Sequence, residues 1–186
     1  PLSPVPRAPA YMRHSLYSWA PPLSRSEISV ASPYRFGGLL PLGPDPQTGL
    51  WEFAHLMTGE PARRGSDRNL ELTGETGLVL VLLPGGTSLI GAQSSEPLDP
   101  HYDPEAKDDE CPVHEVELSP FFLSKYEMTQ GQWLRATGRN PSALPRGDAA
   151  MPSRLRHPVD SVTWEQCERT LLHLGLMLPT EAQWEY

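Results

Sequence analysis

Cysteine is scarce in this chain: 186 residues hold only Cys111 and Cys167. Two thiols cannot make the disulfide framework of a small secreted scaffold and leave room for one bridge at most. No run of about 18 apolar residues occurs, so no segment is long enough to cross a membrane as a helix. Basic charge is also short, with 15 Lys and Arg against 23 Asp and Glu and a formal charge of -8. A chain without a basic field offers nucleic acid or an anionic membrane nothing to condense on, so neither is expected as a partner. The nucleophile elbow G-x-S-x-G, the phosphate cradle G-x-x-x-x-G-K-[ST] and the zinc-protease H-E-x-x-H are absent. The chain opens on Pro1 with no early apolar run of the signal-peptide kind, and its compartment is left open.

Proline is abundant instead, 22 residues in all, ten of them within the first 50 positions. Such density removes ladder donors and excludes helix interiors, so residues 1–46 are expected to be a linker or an extended arm. Residues 47–76 read as a lead-in with one strand. In LWEFAHLM, Leu50 to Met57, side chains alternate until TGEP ends the run. LVLVLL, Leu78 to Leu83, is continuously apolar and is expected to be a strand buried on both faces. Pro84, Gly85 and Gly86 are expected to turn it into TSLIG as a hairpin. The echoes MTGE and LTGE look like similar strand openings, too short to define a repeat.

The negative charge is local. Glu96 to Glu117 holds nine acids against Lys107, and the rest of the chain sums to zero. The aperiodic stretch Ser94 to Pro112 is expected to be a long surface loop. Cys111 and His114 have C-x-x-H spacing with His101 nearby, but a fourth zinc ligand is missing. The acids could offer oxygen to calcium, yet lack the alternating order and central glycine of an EF-hand loop. Five arginines from Arg135 to Arg156 read as solvated loop. Cys167 falls on the inward side of a helical pattern, where a thiol acts as a small hydrophobe rather than a nucleophile. No catalytic, cofactor-binding or metal-binding residue is assigned.

VHEVEL and FFLSKYEM read as further strands. Three helix starts follow, each a threonine with glutamine three positions on: Thr129 with Gln132, Thr163 with Gln166, Thr180 with Gln183. Gly138 and Gly175 end the first two helices. LMLP between the last two reads as a short strand. Each start has a tryptophan in or beside its first turn (Trp133, Trp164, Trp184), and each is expected in the core. Only six residues follow Thr180, fewer than a helix normally needs, so the chain is expected to stop inside a domain and to be marginally stable by itself.

In order, LVLVLLPGGTSLIGAQ, DDECPVHEVELSPFFLSKYEMTQGQW, HPVDSVTWEQC and LGLMLPTEAQWEY resemble the formylglycine-generating enzyme, or sulfatase-modifying factor, family over about 110 residues. GPDPQTGLWEFAHLMTGEP resembles the lead-in of bacterial members, some of which are fused to serine/threonine protein kinase domains. The resemblance implies an α+β, C-type-lectin-like fold, of which residues 77–186 would be the N-terminal half. Competent members hold copper with a cysteine pair and oxidise a sulfatase cysteine to formylglycine with dioxygen; soft thiolates suit copper(I). Neither Cys111 nor Cys167 matches that pair, so this polypeptide alone is expected to be inactive and free of cofactor, with copper a property of the complete domain. Ser88, Ile90 and Asp160 depart from the family pattern as packing variation. The alternative implied function is a non-catalytic binding or regulatory module, attached to a kinase. The iron-dependent sulfur-coupling relatives would need an upstream helical bundle with iron-binding histidines, which His14 and His55 do not offer.

Overall fold

The computed structural model describes residues 38–142 and 152–186 as mixed α/β. The proline-rich segment before Gly38 and the run 143–151, with Arg146, lie outside the described residues. The chain forms two compact units. One takes residues up to Leu82 with Phe122–Met177, the other Leu83–Phe121 with Leu178–Tyr186.

The first unit is organised on strands β1 (Leu39–Pro44), β2 (Trp51–His55), β5 (Val79–Leu83) and β8 (Phe121–Ser124), in the sheet order β1-β2-β5-β8. β1 is a strand the proline content disguises. Pro41 and Pro44 are tolerated because β1 lies on a sheet edge, and its register shifts between Pro41 and Gly43. β2 pairs antiparallel with β1 and β5, so Leu39, Phe53 and Leu80 meet in a core closed by Trp51, Leu82, Phe122 and Leu176. Phe122 meets Phe53 edge to face, with ring centroids 5.1 Å apart. β5 is buried at Val79 and Leu80 and half-buried from Val81 to Leu83, so the expected double-sided burial holds for its first residues. The short pair β3 (Arg63–Arg64) and β4 (Leu70–Glu71) lies between β2 and β5 in sequence.

The two TGE echoes turn out to be neighbours. Glu60 bridges Thr76 in parallel, and Gly77 N–H donates to Glu60 O over 2.9 Å. A Cβ on Gly59 would come within 2.5 Å of Glu75 O, and one on Gly77 within 2.9 Å of Gly59 N, so this approach needs glycine on both sides. Arg135 fastens the crossing by donating to Thr58 O, Gly74 O and Thr76 O. That corrects the reading of Arg135 as a solvated loop residue: it stands on a helix whose neighbours are bare carbonyls.

Helices α1 (Gln130–Thr137) and α2 (Trp164–His173) start where the capping boxes predict, with both reciprocal bonds formed in each. α1 ends on left-handed Gly138, whose N–H donates to Leu134 O. α2 ends in a Schellman arrangement, with Gly175 N–H on Leu172 O and Leu176 N–H on Leu171 O. The stretch 176–179, expected as a strand, has no ladder partner among the described residues. A 3-10 turn, Pro152–Arg156, precedes α2.

In the second unit, β6 (Gly86–Ile90) pairs antiparallel with β7 (His114–Leu118), and the short helix α3 (Glu181–Glu185) follows its predicted cap at Thr180. This overturns the expected β5–β6 hairpin. Pro84 has no N–H to give a ladder, and Gly85, at φ 69°, approaches β7 so closely that a Cβ would lie 2.2 Å from Leu118 O. β6 is accordingly delivered to β7. The last residue of α3 and its C-cap hold the ends of β6: Tyr186 OH donates to Gly85 O over 2.5 Å, and the Glu185 carboxylate accepts from Gly91 N–H over 2.8 Å. The acidic stretch 94–112 is an exposed loop of turns, as expected.

The tryptophans divide. Trp133 is 5% exposed, whereas Trp164 and Trp184 are 61% and 73% exposed, correcting the expectation that all three are core. Register explains Trp164. Trp133 is the fourth residue of α1, but Trp164 is the first of α2, and the equivalent inward position there is half-buried Cys167. Trp133→Ala is expected to cost about 3–5 kcal/mol of unfolding free energy and Trp164→Ala within about 0.5 kcal/mol, measured by chemical denaturation.

Candidate functional site

The most unusual residue of the first unit is Glu52, the second residue of β2, which is 0% exposed. A buried carboxylate persists only with charge partners. Arg64 on β3 donates to Glu52 Oε2 over 2.7 Å, and Lys125, just after β8, donates to Glu52 Oε1. Lys125 also binds Asp45 Oδ2, and Asp45 sits in the β1–β2 turn accepting from Gln47 and Thr48 N–H. Arg64 also donates to the Leu42, Gly43 and Arg68 carbonyls. Two acids and two bases thus form a neutral cluster joining four segments distant in sequence.

Protonation in the cluster follows from these partners. The Lys125 hydrogen bond, with backbone N–H groups of Thr48 and Gln47, holds the Asp45 carboxyl well below its usual range. Burial works to lower Lys125, but the bonds to Asp45 and Glu52 and the Glu52 charge together raise it. Lys125 therefore stays an ammonium and is no amine nucleophile.

Lys125 also borders a cavity of about 450 Å³ walled by Thr73, Thr76, Tyr126, Thr129, Gln132 and Arg156, among others. Most of its polar lining is already engaged: Thr73 N–H donates to Thr76 Oγ1, and Gln132 serves both Thr129 N–H and Thr76 O. Such walls can hold a small polar molecule, but they present no nucleophile paired with a base.

The sequence candidates are not brought together into a metal site. Cys111 is exposed and Cys167 half-buried, both as free thiols. The rings of His101 and His114 spend Nδ1 on the backbone carbonyls of Gly91 and Pro112. No cluster of three or more His, Cys, Asp or Glu able to hold a metal ion occurs among the described residues. Sequence reasoning missed the Glu52 cluster. Its signal was the lone acid within LWEFAH, an apolar strand that must find a cation once folded.

His55, on the same strand, is 1% exposed and its Nδ1 has no hydrogen-bond partner among the described residues. Burial pushes its pKa below the ordinary 6.5, and a backbone hydrogen bond with Leu174 opposes this only in part.

These features define a mixed α/β domain whose charged centre is built for structure. Residues 71–186 match the sulfatase-modifying factor enzyme 1-like domain, and the chain belongs to that family. It is 29% identical over 149 residues to a formylglycine-generating enzyme of Thermomonospora curvata, covering 57% of this chain and 47% of that protein. It is 30% identical over 124 residues to the serine/threonine-protein kinase pkn1 of Chlamydia caviae, covering 57% of this chain and 18% of the kinase. The solved structure of PvdO from Pseudomonas aeruginosa is similar at a TM-score of 0.37 and 22% identity, over 63% of this chain and 44% of that one. The chain thus spans less than half the length of these proteins.

The neutral state of His55 gives a pH test. Its folded pKa is depressed, so the unfolded chain takes up the proton first, and stability present above pH 6.5 is lost as pH falls below it. Unfolding free energy measured from pH 7.5 to 5 is expected to decline with a slope of up to one proton, and His55→Gln is expected to remove that component.

Proposed function

We propose that the chain builds part of a formylglycine-generating-enzyme-like domain with the C-type-lectin-like fold of that family. In this reading the whole protein oxidises a cysteine of a partner sulfatase to formylglycine with dioxygen, which is reduced to water by two electrons from the cysteine and two from an external thiol reductant while the cysteine sulfur leaves as sulfide. The observation that supports it is the family match over residues 71–186, together with the likeness to a formylglycine-generating enzyme.

Copper is the cofactor this activity implies, and it needs soft thiolates facing one another. The residues described here do not fit it. Cys111 lies exposed in the acidic loop and Cys167 half-buried on α2, each without a second thiol or a grouping of metal-ligating side chains. The contribution of this chain is therefore scaffold: a sheet pinned at Glu52 and two capped helices, with no step of the oxidation carried by its own thiols.

The likeness to pkn1, a serine/threonine-protein kinase, favours a second reading, a non-catalytic binding or regulatory module on the same fold. Two measurements separate them. Residues 1–186 titrated with copper(I) against a competing chelator are expected to show no tight stoichiometric uptake. The complete natural polypeptide, given copper(I), dioxygen, a thiol reductant and a cysteine-bearing sulfatase peptide, is expected to convert the thiol to an aldehyde by mass spectrometry, with the sulfur released as sulfide. An unchanged cysteine would leave the binding module.

A further inference from the structure

Among the described residues β6 is an edge strand, and its five residues carry neither charge nor proline. Long, uncharged edges template further strands, so folded proteins block them with charge, proline, bulges or shortness. The other edges among the described residues are blocked in these ways. β1 carries Pro41, Pro44 and a register shift; β3 and β4 have two residues each and hold Arg63, Arg64 and Glu71; β7 carries Glu115 and Glu117; β8 has four residues and follows Pro120. β6 reads GTSLI, five residues without charge or proline, in a two-stranded sheet whose other strand is β7. Its ends are held at Gly85 and Gly91, while Gly86, Thr87 and Leu89 between them are exposed, Leu89 at 39%.

Charge decides what fits there. The second unit holds eleven acids, nine in Glu96–Glu117 plus Glu181 and Glu185, against Lys107. A second copy would bring the same negative field to the edge and be repelled. Thr87 and Leu89 pair with Glu117 and Glu115, and directly paired residues project from the same sheet face. A strand added to β6 would lie two strand spacings, about 10 Å, from those glutamates. Arginine or lysine at alternate positions of the added strand could reach toward them across that face.

We propose that the outer edge of β6 is a docking site for an extended polypeptide segment carrying Arg or Lys at alternate positions. The segment adds a third strand to the β7-β6 sheet. Backbone hydrogen bonds to Gly86–Ile90 supply the ladder, and the acidic face selects the basic side chains.

The test uses the full 186-residue chain and a blocked synthetic peptide of alternating arginine and valine. Amide hydrogen exchange is expected to slow at alternate residues of Gly86–Ile90 when the peptide binds. The same peptide N-methylated at every second residue, on whichever alternate set faces β6, keeps its charge but cannot form the ladder and is expected to bind at least tenfold more weakly. An alternating glutamate and valine peptide is expected to give no protection. Leu89→Lys, a change at an exposed side chain, is expected to weaken the basic peptide about tenfold with the unfolding midpoint kept.

Equal affinity of both methylated peptides and the parent would mean attraction by the acidic loop alone and would overturn the proposal. So would β6 amides left unprotected by bound peptide. Protection of β6 in a self-associated chain without peptide would give the edge to a second copy, and protection lost on removing residues 1–37 would give it to the chain's own arm. Protection of β6 without peptide in a longer natural polypeptide would give it to the rest of the domain. Each contradicts the proposal.

Discussion

The first unit depends on Glu52, an acidic side chain buried completely between two cationic ones. A carboxylate at that depth is tolerable only if its charge is matched and both oxygens are bonded. Arg64 and Lys125 meet that demand, and each is itself anchored elsewhere, Arg64 on carbonyls of β1 and the β3–β4 turn, Lys125 on Asp45. The cluster therefore does what an apolar core of this size cannot do alone. It specifies which segments come together: the β1–β2 turn, β2, β3 and the exit from β8. Leu39, Phe53 and Leu80 supply the non-directional attraction, and the charges fix the arrangement.

Around that centre the fold uses local chemistry repeatedly. The threonine and glutamine of each capping box satisfy free N–H groups without calling on the rest of the chain. Arg135 performs the converse service, collecting three carbonyls where the TGE segments meet at the Glu60–Thr76 bridge. In the second unit Glu185 and Tyr186 brace β6 through its flanking glycines, so a helix of five residues is held by side chains reaching outward from its end. This economy of regular structure leaves one strand edge available among the described residues.

What the sequence disclosed was local. Capping boxes, glycine helix ends, strand-like runs at LWEFAH, LVLVLL and VHEVEL, and the acidic loop were all legible because each is decided within a few residues. Long-range decisions were not. PGG announces a turn but not that β5 and β6 go to different sheets, a choice made by the close approach of Gly85 to Leu118. Trp164 looked like Trp133 until the cap positions set it three residues earlier in its helix. The Glu52 cluster spans Asp45 to Lys125, and no periodicity reports an ion pair across 80 positions. The candidate site was legible only as an odd acid in an apolar strand.

The functional reading inherits this division between scaffold and chemistry. Membership of the sulfatase-modifying factor family identifies the kind of domain, and the described residues show Cys111 exposed and Cys167 half-buried, each a free thiol. If the scaffold is centred on Glu52 as argued, its bond with Lys125 must be coupled energetically and not merely close. The direct measurement is a double-mutant cycle in denaturant unfolding with Glu52→Gln, Lys125→Met and the pair. The account predicts a coupling of about 1–3 kcal/mol, the double variant being less damaged than the single changes sum to. Additive losses, with coupling near zero, would contradict it.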